Sequence, residues 1–429
     1  MPPLPLMRRV RQVFPASAPL DLPAVIAAGL ERLGPALRPG ATVAVGVGSR
    51  GITGLDRLVA LVVAGLRERG VRPFLFPAMG SHGGATPEGQ LRLLASYGVT
   101  EAALGVSIRP SLEVRQVGVS AEGVPAYCSV EALGADAILL LNRVKPHTDF
   151  FSPTLGSGLI KMTVVGLGKQ AGASAMHDAA CRIGHETAIR GIWRVLRDAT
   201  PLIGGLAVLE DQHHATARVT GVRAADFEAE EPELLATARA LLPRLPFEEI
   251  DLLVVDRIGK NISGTGMDTN VINRSVHGYS AALAREGRPA PFIRRIFVRG
   301  LTEETHGNGV GIGLADVTTA RVVRSLDQQA MAMNALTAMA PQSAKVPLWF
   351  ADDREAIERT LGALALLPGE VPRVVRIADT LSVAQMEVSA ALWPEVEGRA
   401  GLEFAGPPQP WTFDAEGHLR EKPDTAEPA

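Results

Sequence analysis

Residues 43–54 read VAVGVGSRGITG, and this stretch decides how the chain is built. A short uncharged apolar run that ends in glycines is the pattern of a strand buried on both faces, as parallel strands are. Gly46, Gly48 and Gly51 then spell G-x-G-x-x-G, and an amphipathic helical pattern opens at Leu55. The stretch is therefore the turn of a βα unit. A dinucleotide loop of this form also needs an acidic side chain roughly 20 residues on, at the end of the second strand, to take the ribose hydroxyls. Here the second strand ends FLFPAMGSHGG (74–84), without Asp or Glu, which counts against an NAD or FAD site. What the loop does offer is Arg50, with Ser49 beside it, at the carboxyl end of a strand. A guanidinium there suits bidentate capture of a carboxylate or phosphate.

The same alternation runs outward in both directions. Strands are expected at 42–47, 72–77, 113–118, 136–141, 203–209, 251–256, 295–299 and 372–377. Helices are expected at 22–34, 55–69, 87–97, 184–198, 231–243, 314–325, 327–339 and 353–363. This predicts an α/β protein with two lobes, each a mainly parallel sheet with flanking helices, and an active-site cleft between them. The segment LLPRLPFEEI (241–250) places two prolines between a helix and a fresh strand. It divides an N-terminal cofactor-binding lobe (1–245) from a C-terminal lobe (246–405). A Pro-rich tail (406–429) is expected to fray or to pack back on the first lobe.

Composition narrows the class of function. The 429 residues are 46% apolar and 21% charged, with a net charge of −3, and no basic cluster is interleaved with aromatics. Nucleic-acid binding is not expected. Two cysteines, Cys128 and Cys181, make neither a disulfide framework nor a four-thiolate zinc site. The N-terminal MPPLPLMRRVRQVF lacks the apolar core of a signal peptide, and no membrane-length apolar window follows. The reading is a cytoplasmic, soluble protein that takes a small-molecule ligand; the oligomeric state is left open.

Histidine is scarce, nine in all, yet His82 (in GSHGG) and His147 (in NRVKPH) each follow an apolar strand. Thr86, Pro87 and Glu88 are an N-cap, an N1 proline and a first-turn acid, so a helix should start just past His82. Two imidazoles on strand-end loops near Arg50 suit proton removal and return at a carbon. In TLGSGLIK (154–161), Gly156, Ser157 and Gly158 allow close backbone approach, and Lys161 follows. A lysine in an apolar, glycine-lined pocket can act as a nucleophile. His177, Cys181 and His185 recur every four residues, a spacing that suits nickel, copper or zinc, although Gly184 interrupts it. His213 and His214 read as a surface turn.

As a set, Arg50, His82, His147, Lys161 and His177 resemble the lactate racemase family, the nickel-pincer nucleotide enzymes, over about residues 40–186. The resemblance implies a mononucleotide carrying nickel, held covalently by Lys161 with Ser157, Gly158 and Ser49 nearby, and with His177 as the protein's ligand to the metal. It further implies that His82 and His147 are paired acid/base groups and that Arg50 anchors the carboxylate of a 2-hydroxy acid, whose centre is inverted through hydride removal and return. The family pattern has Asp and Thr where this chain has Val47 and Ser49. Its aromatic-Gln pair and Lys are replaced by Ile272, Asn273 and Val276 in GMDTNVINRSVHG (266–278). A 2-hydroxy acid other than lactate is therefore expected, with Arg274 and His277 as candidates for the missing polar contacts. Two further Gly-rich loops, 259–270 and 305–316, could reach a ligand. The alternatives are a zinc-dependent hydrolase or lyase built on His177, Cys181 and His185 with His82 as base, and a non-catalytic carboxylate- or nucleotide-binding relative.

Overall fold

The computed structural model describes residues 4–34, 37–48, 52–80, 82–276, 291–367 and 369–420. Ser49, Arg50 and His277, singled out above, lie outside the described residues. Among those described, the strands are β1 (Leu6–Gln12), β2 (Thr42–Val47), β3 (Arg72–Pro77), β4 (Val114–Val119), β5 (Pro125–Ser129), β6 (Ala137–Arg143), β7 (Leu202–Glu210) and β8 (Thr216–Arg223). They continue with β9 (Glu249–Val255), β10 (Phe292–Val298), β11 (Val317–Thr319), β12 (Leu348–Phe350), β13 (Val374–Ile377), β14 (Gln385–Ser389), β15 (Leu402–Phe404) and β16 (Gln409–Pro410). The protein is mixed α/β, with mainly parallel sheets flanked by helices. Among the described residues no helix is long and apolar enough to cross a membrane.

Two compact units divide the chain. One comprises residues 16–147 and 151–242; the other comprises 1–15, 148–150 and 243–429. The first holds a five-stranded sheet in the order β3-β2-β6-β7-β8. Strands β3, β2, β6 and β7 are parallel, and β8 returns antiparallel to β7. Val43, Val45 and Val47 of β2 are fully buried and share a core with Leu58, Val59, Val62 and Leu66. Those residues form the three- and four-residue stripe of helix Leu55–Glu68. Each leucine or valine so buried contributes about 1.5–3 kcal/mol, so the apolar pattern sets the sheet's position.

The second unit holds a sheet in the order β12-β11-β10-β9-β13-β14-β1-β15, with β16 beside β1. It is parallel from β12 through β13 and antiparallel beyond. The N-terminal strand thus belongs here, not to the first lobe as expected, because Met7 and Val10 are buried in this unit's cores. The tail packs on the same unit rather than on the first. Trp411 and Leu419 enter a core with Leu252, Val254 and Phe297. The tail also answers buried charge: Trp411 Nε1 donates to Glu387 at 3.1 Å, and Arg299 donates to the Leu419 carbonyl at 2.8 Å. Both charges are also ion-paired, Glu387 with Arg376 and Arg299 with Asp256 and Asp353, so each tail contact adds one charge-assisted hydrogen bond, about 1.5–3 kcal/mol. The helix expected over 314–325 begins only at Ala320. The β-branched Val317–Thr319 pairs with β10 and β12 instead, and Thr319 caps the helix.

Candidate active site

In the first unit β2 lies between β3 and β6, all parallel. The segments leading to Arg50, His82 and His147 therefore leave the same edge of the sheet, at the carboxyl ends where ligands bind in α/β folds. The β3 loop turns sharply at Gly83 and Gly84, with φ of +66° and +67°. Gly83 lies so close to the next helix that a Cβ would stand 2.6 Å from the Gln90 nitrogen. Thr86 caps that helix as expected, accepting from Gly89 N at 3.0 Å. Fully buried Gln90 donates to the Gly80 carbonyl at 3.3 Å, bracing the loop that carries His82.

Past β6 the chain pairs with the glycine-rich segment. Lys145 and Ser157 exchange backbone hydrogen bonds of 3.0 and 2.7 Å, and the Asn142 amide donates to the Gly158 carbonyl at 3.0 Å. A helical turn, Leu159–Lys161, follows, then a wider turn over Met162–Leu167, then helix Lys169–Ile183. Gly48, at the end of β2, presses on this segment, since a Cβ there would come 2.6 Å from Met162 Cε.

These loops enclose an open pocket of about 570 Å³, counted to include its mouth. His82, Asn142, Arg143, Lys145, Ser157 and Lys161 form its polar wall, and Met79, Met162 and Val165 are among its apolar lining. Three residues anticipated from sequence, His82, Ser157 and Lys161, thus share one cavity. Gly158 adjoins it through its carbonyl bond to Asn142. His147 is buried at the loop's end, and His177 is half-buried on helix Lys169–Ile183; neither is part of the lining. Asn142, Arg143 and Lys145 were missed, although they sit directly ahead of His147 in a segment already singled out. Their alternation along a strand end, placing Arg143 and Lys145 on one face, was the available signal.

One of the pocket's cations is held by a buried carboxylate. Arg143 forms an ion pair with Glu210, whose side chain is 6% exposed. Glu210 also accepts the Thr53 backbone N–H at 2.8 Å, tying β7 to the segment that follows the opening motif. His214, read from sequence as a surface turn, is held below the ordinary histidine range by burial, against the pull of Glu210 and with Arg143 and Lys145 adding to the depression. It takes a left-handed backbone at φ +60°. A cavity with Arg143, Lys145 and Lys161 on its wall is suited to an anionic ligand.

The zinc reading loses its ligand set. His177 and His185 stand edge to face with ring centres 6.5 Å apart, and burial raises the Cys181 thiol. Among the described residues no group of three His, Cys, Asp or Glu side chains could hold a metal ion.

No family model and no curated protein matches the chain. Among solved structures, the lactate racemase apoprotein from Thermoanaerobacterium thermosaccharolyticum is similar, with a TM-score of 0.54 and 13% identity over 88% of this chain and 99% of that one. The chain shares the lactate racemase fold. At that identity the likeness is one of architecture, and within this lactate racemase-like fold the pocket of His82, Ser157 and Lys161 lies wholly inside the first compact unit.

Proposed function

We propose that the protein is a racemase or epimerase of a 2-hydroxy acid and that its pocket holds a nickel-pincer nucleotide on Lys161. The observation that carries this reading is the meeting of Lys161, Ser157 and His82 on one cavity wall in a fold shared with lactate racemase. The donor set fits the group: Lys161 supplies the amine, while Lys145, Arg143 and the Ser157 hydroxyl supply partners for phosphate and carboxylate oxygens.

When bound, the group supplies a reversible hydride acceptor. The chain's own residues do the rest. His82 Nδ1 or Nε2 takes the proton of the substrate hydroxyl and returns it, and His147 is assigned the same task for the opposite face. Arg50 anchors the substrate carboxylate, with Arg143 as a second guanidinium held in place by Glu210. Ser49 and Gly158 belong to the cofactor side, and His177 is assigned as the nickel ligand from the helix that continues the Lys161 segment. The replacements Val47, Asn273 and Val276 argue for a 2-hydroxy acid other than lactate. The work is assigned to the cytoplasm.

Intact-protein mass spectrometry with metal analysis tests the proposal, using protein from a host that makes the pincer nucleotide. An added mass of a few hundred daltons, with nickel, that Lys161→Ala abolishes is the expected result. Unmodified protein, with zinc or without metal, overturns it.

A further inference from the structure

Glu231, on helix Phe227–Ala240, is 1% exposed, and no step above uses it. Its Oε2 accepts the Ile160 backbone N–H at 2.9 Å. Among the described residues its Oε1 has no hydrogen-bond partner. Gly158 faces it so closely that a Cβ would stand 2.5 Å from the carboxyl carbon. The Gly158 backbone is extended (φ −137°, ψ −159°), so contact rather than conformation demands glycine there. From the pocket side, Asn142 holds the Gly158 carbonyl. The turn that ends on Lys161 is thus gripped by a pocket amide at one end and by a buried carboxylate at the other.

Burying a carboxyl group is costly. Burial pushes this one up to about 7, and only the Ile160 and Leu159 N–H groups and the Arg190 guanidinium pull it back. Not every buried turn in the unit is held by a carboxylate. The Gly80 carbonyl, for example, is met by the amide of Gln90.

We infer that Glu231 is a positioning residue: by accepting the Ile160 N–H and packing against Gly158, it sets where the Lys161 side chain enters the pocket. The inference rests on Lys161 being the cofactor-bearing residue, but its test uses the unloaded protein. Trace acetylation of the full chain, read by peptide mass spectrometry, gives the reactivity of Lys161 relative to Lys260 in the same molecule. Glu231→Leu, which keeps the bulk and removes the acceptor, should change that ratio roughly fivefold, the scale of one hydrogen bond. Glu231→Gln, which keeps an acceptor oxygen, should stay within about twofold of the wild type on the same scale. Should Glu231→Leu not fold, Glu231→Asp withdraws the acceptor by one methylene while keeping the charge, and is expected to shift the ratio in the same way. An unchanged ratio in the folded Leu or Asp variant, or equal shifts for Gln and Leu, overturns the inference. Absence of an adduct on Lys161 in protein from a cofactor-making host would sink the functional proposal and leave this ratio unaffected, so the two can fail separately.

Discussion

Gly158→Ala is the sharpest test of how the Lys161 turn is held. An alanine Cβ would stand 2.5 Å from the Glu231 carboxyl carbon and 2.8 Å from its Oε2. Ordinary contact begins near 3.4 Å, so one partner must retreat by roughly 1 Å, a large demand in an interior packed like a crystal. Neither side yields freely. Glu231 is buried and bonded to Ile160, and the Gly158 carbonyl accepts from Asn142 at 3.0 Å and from Met162 N at 2.9 Å. Overpacking of this kind costs about 1–3 kcal/mol, and losing one or two of those hydrogen bonds adds about 1 kcal/mol each. The expected loss is therefore about 3–4 kcal/mol, a drop in Tm of roughly 6–16 °C for a unit of this size. Because the chain has two compact units, the measurement is urea unfolding followed by hydrogen exchange on peptides from β2 and β6, which report the first unit alone. Glu231→Ala in the same background should make room for the new methyl and recover about 1–2 kcal/mol relative to additivity. A loss under about 1 kcal/mol for Gly158→Ala, or strictly additive behaviour of the pair, would refute the clash.

Two further outcomes follow from buried charge. Glu210→Gln keeps an acceptor for the Thr53 N–H but leaves Arg143 without its carboxylate beside Lys145. The pair is only partly shielded, with side-chain exposures of 19% and 6%, so the expected loss is about 2 kcal/mol, below the roughly 3–5 kcal/mol of a fully buried broken pair; urea midpoints unchanged from wild type would contradict it. Lys169 is 1% exposed and donates to the Pro77 carbonyl, and burial pushes it down to about 8, with Cys128 and Glu131 opposing the shift. Between about 8 and about 10.5 the unfolded chain binds the extra proton, so this lysine makes stability rise with pH. Cys128, pushed up to about 12 chiefly by burial, works the other way above its ordinary value of about 9. The wild type should therefore gain on Lys169→Met by up to about 3 kcal/mol across the lysine window. Parallel stability profiles for the two proteins from about pH 7.5 to 9.5 would refute the assignment.

Most of the sheet was legible in the sequence because parallel strands covered on both faces are short unbroken apolar runs. Strands β2 and β3 lie where the pattern placed them, and helix Leu55–Glu68 carries its stripe of leucines and valines. Helix Lys169–Ile183 was less visible because it buries Gly172, Ala173, Ala179 and Ala180, small residues that give no strong periodic signal. The antiparallel edge of the second sheet was missed for another reason. Strand β15 has three residues and β16 has two, and β1 and β16 are paired by contacts across nearly the whole chain.

Local chemistry was enough to mark His82 as a loop residue at a strand end and Ser157 and Lys161 as members of a glycine-rich segment, since glycines, a helix cap and a strand's carboxyl end are all written within a few neighbouring positions. Taken alone, the sequence also determined that the chain is α/β, because apolar period and turn residues are local properties. What only the tertiary structure decided is which of those loops share a cavity and what stands behind them. Strand order put β2 between β3 and β6, and long-range contacts brought Glu210 to Arg143 and Glu231 to the Ile160 N–H. Those partners are 67 and 71 residues apart along the chain. No spacing rule reaches that far; buried donors and carboxylates find one another only once the sheet and its helices have closed around them.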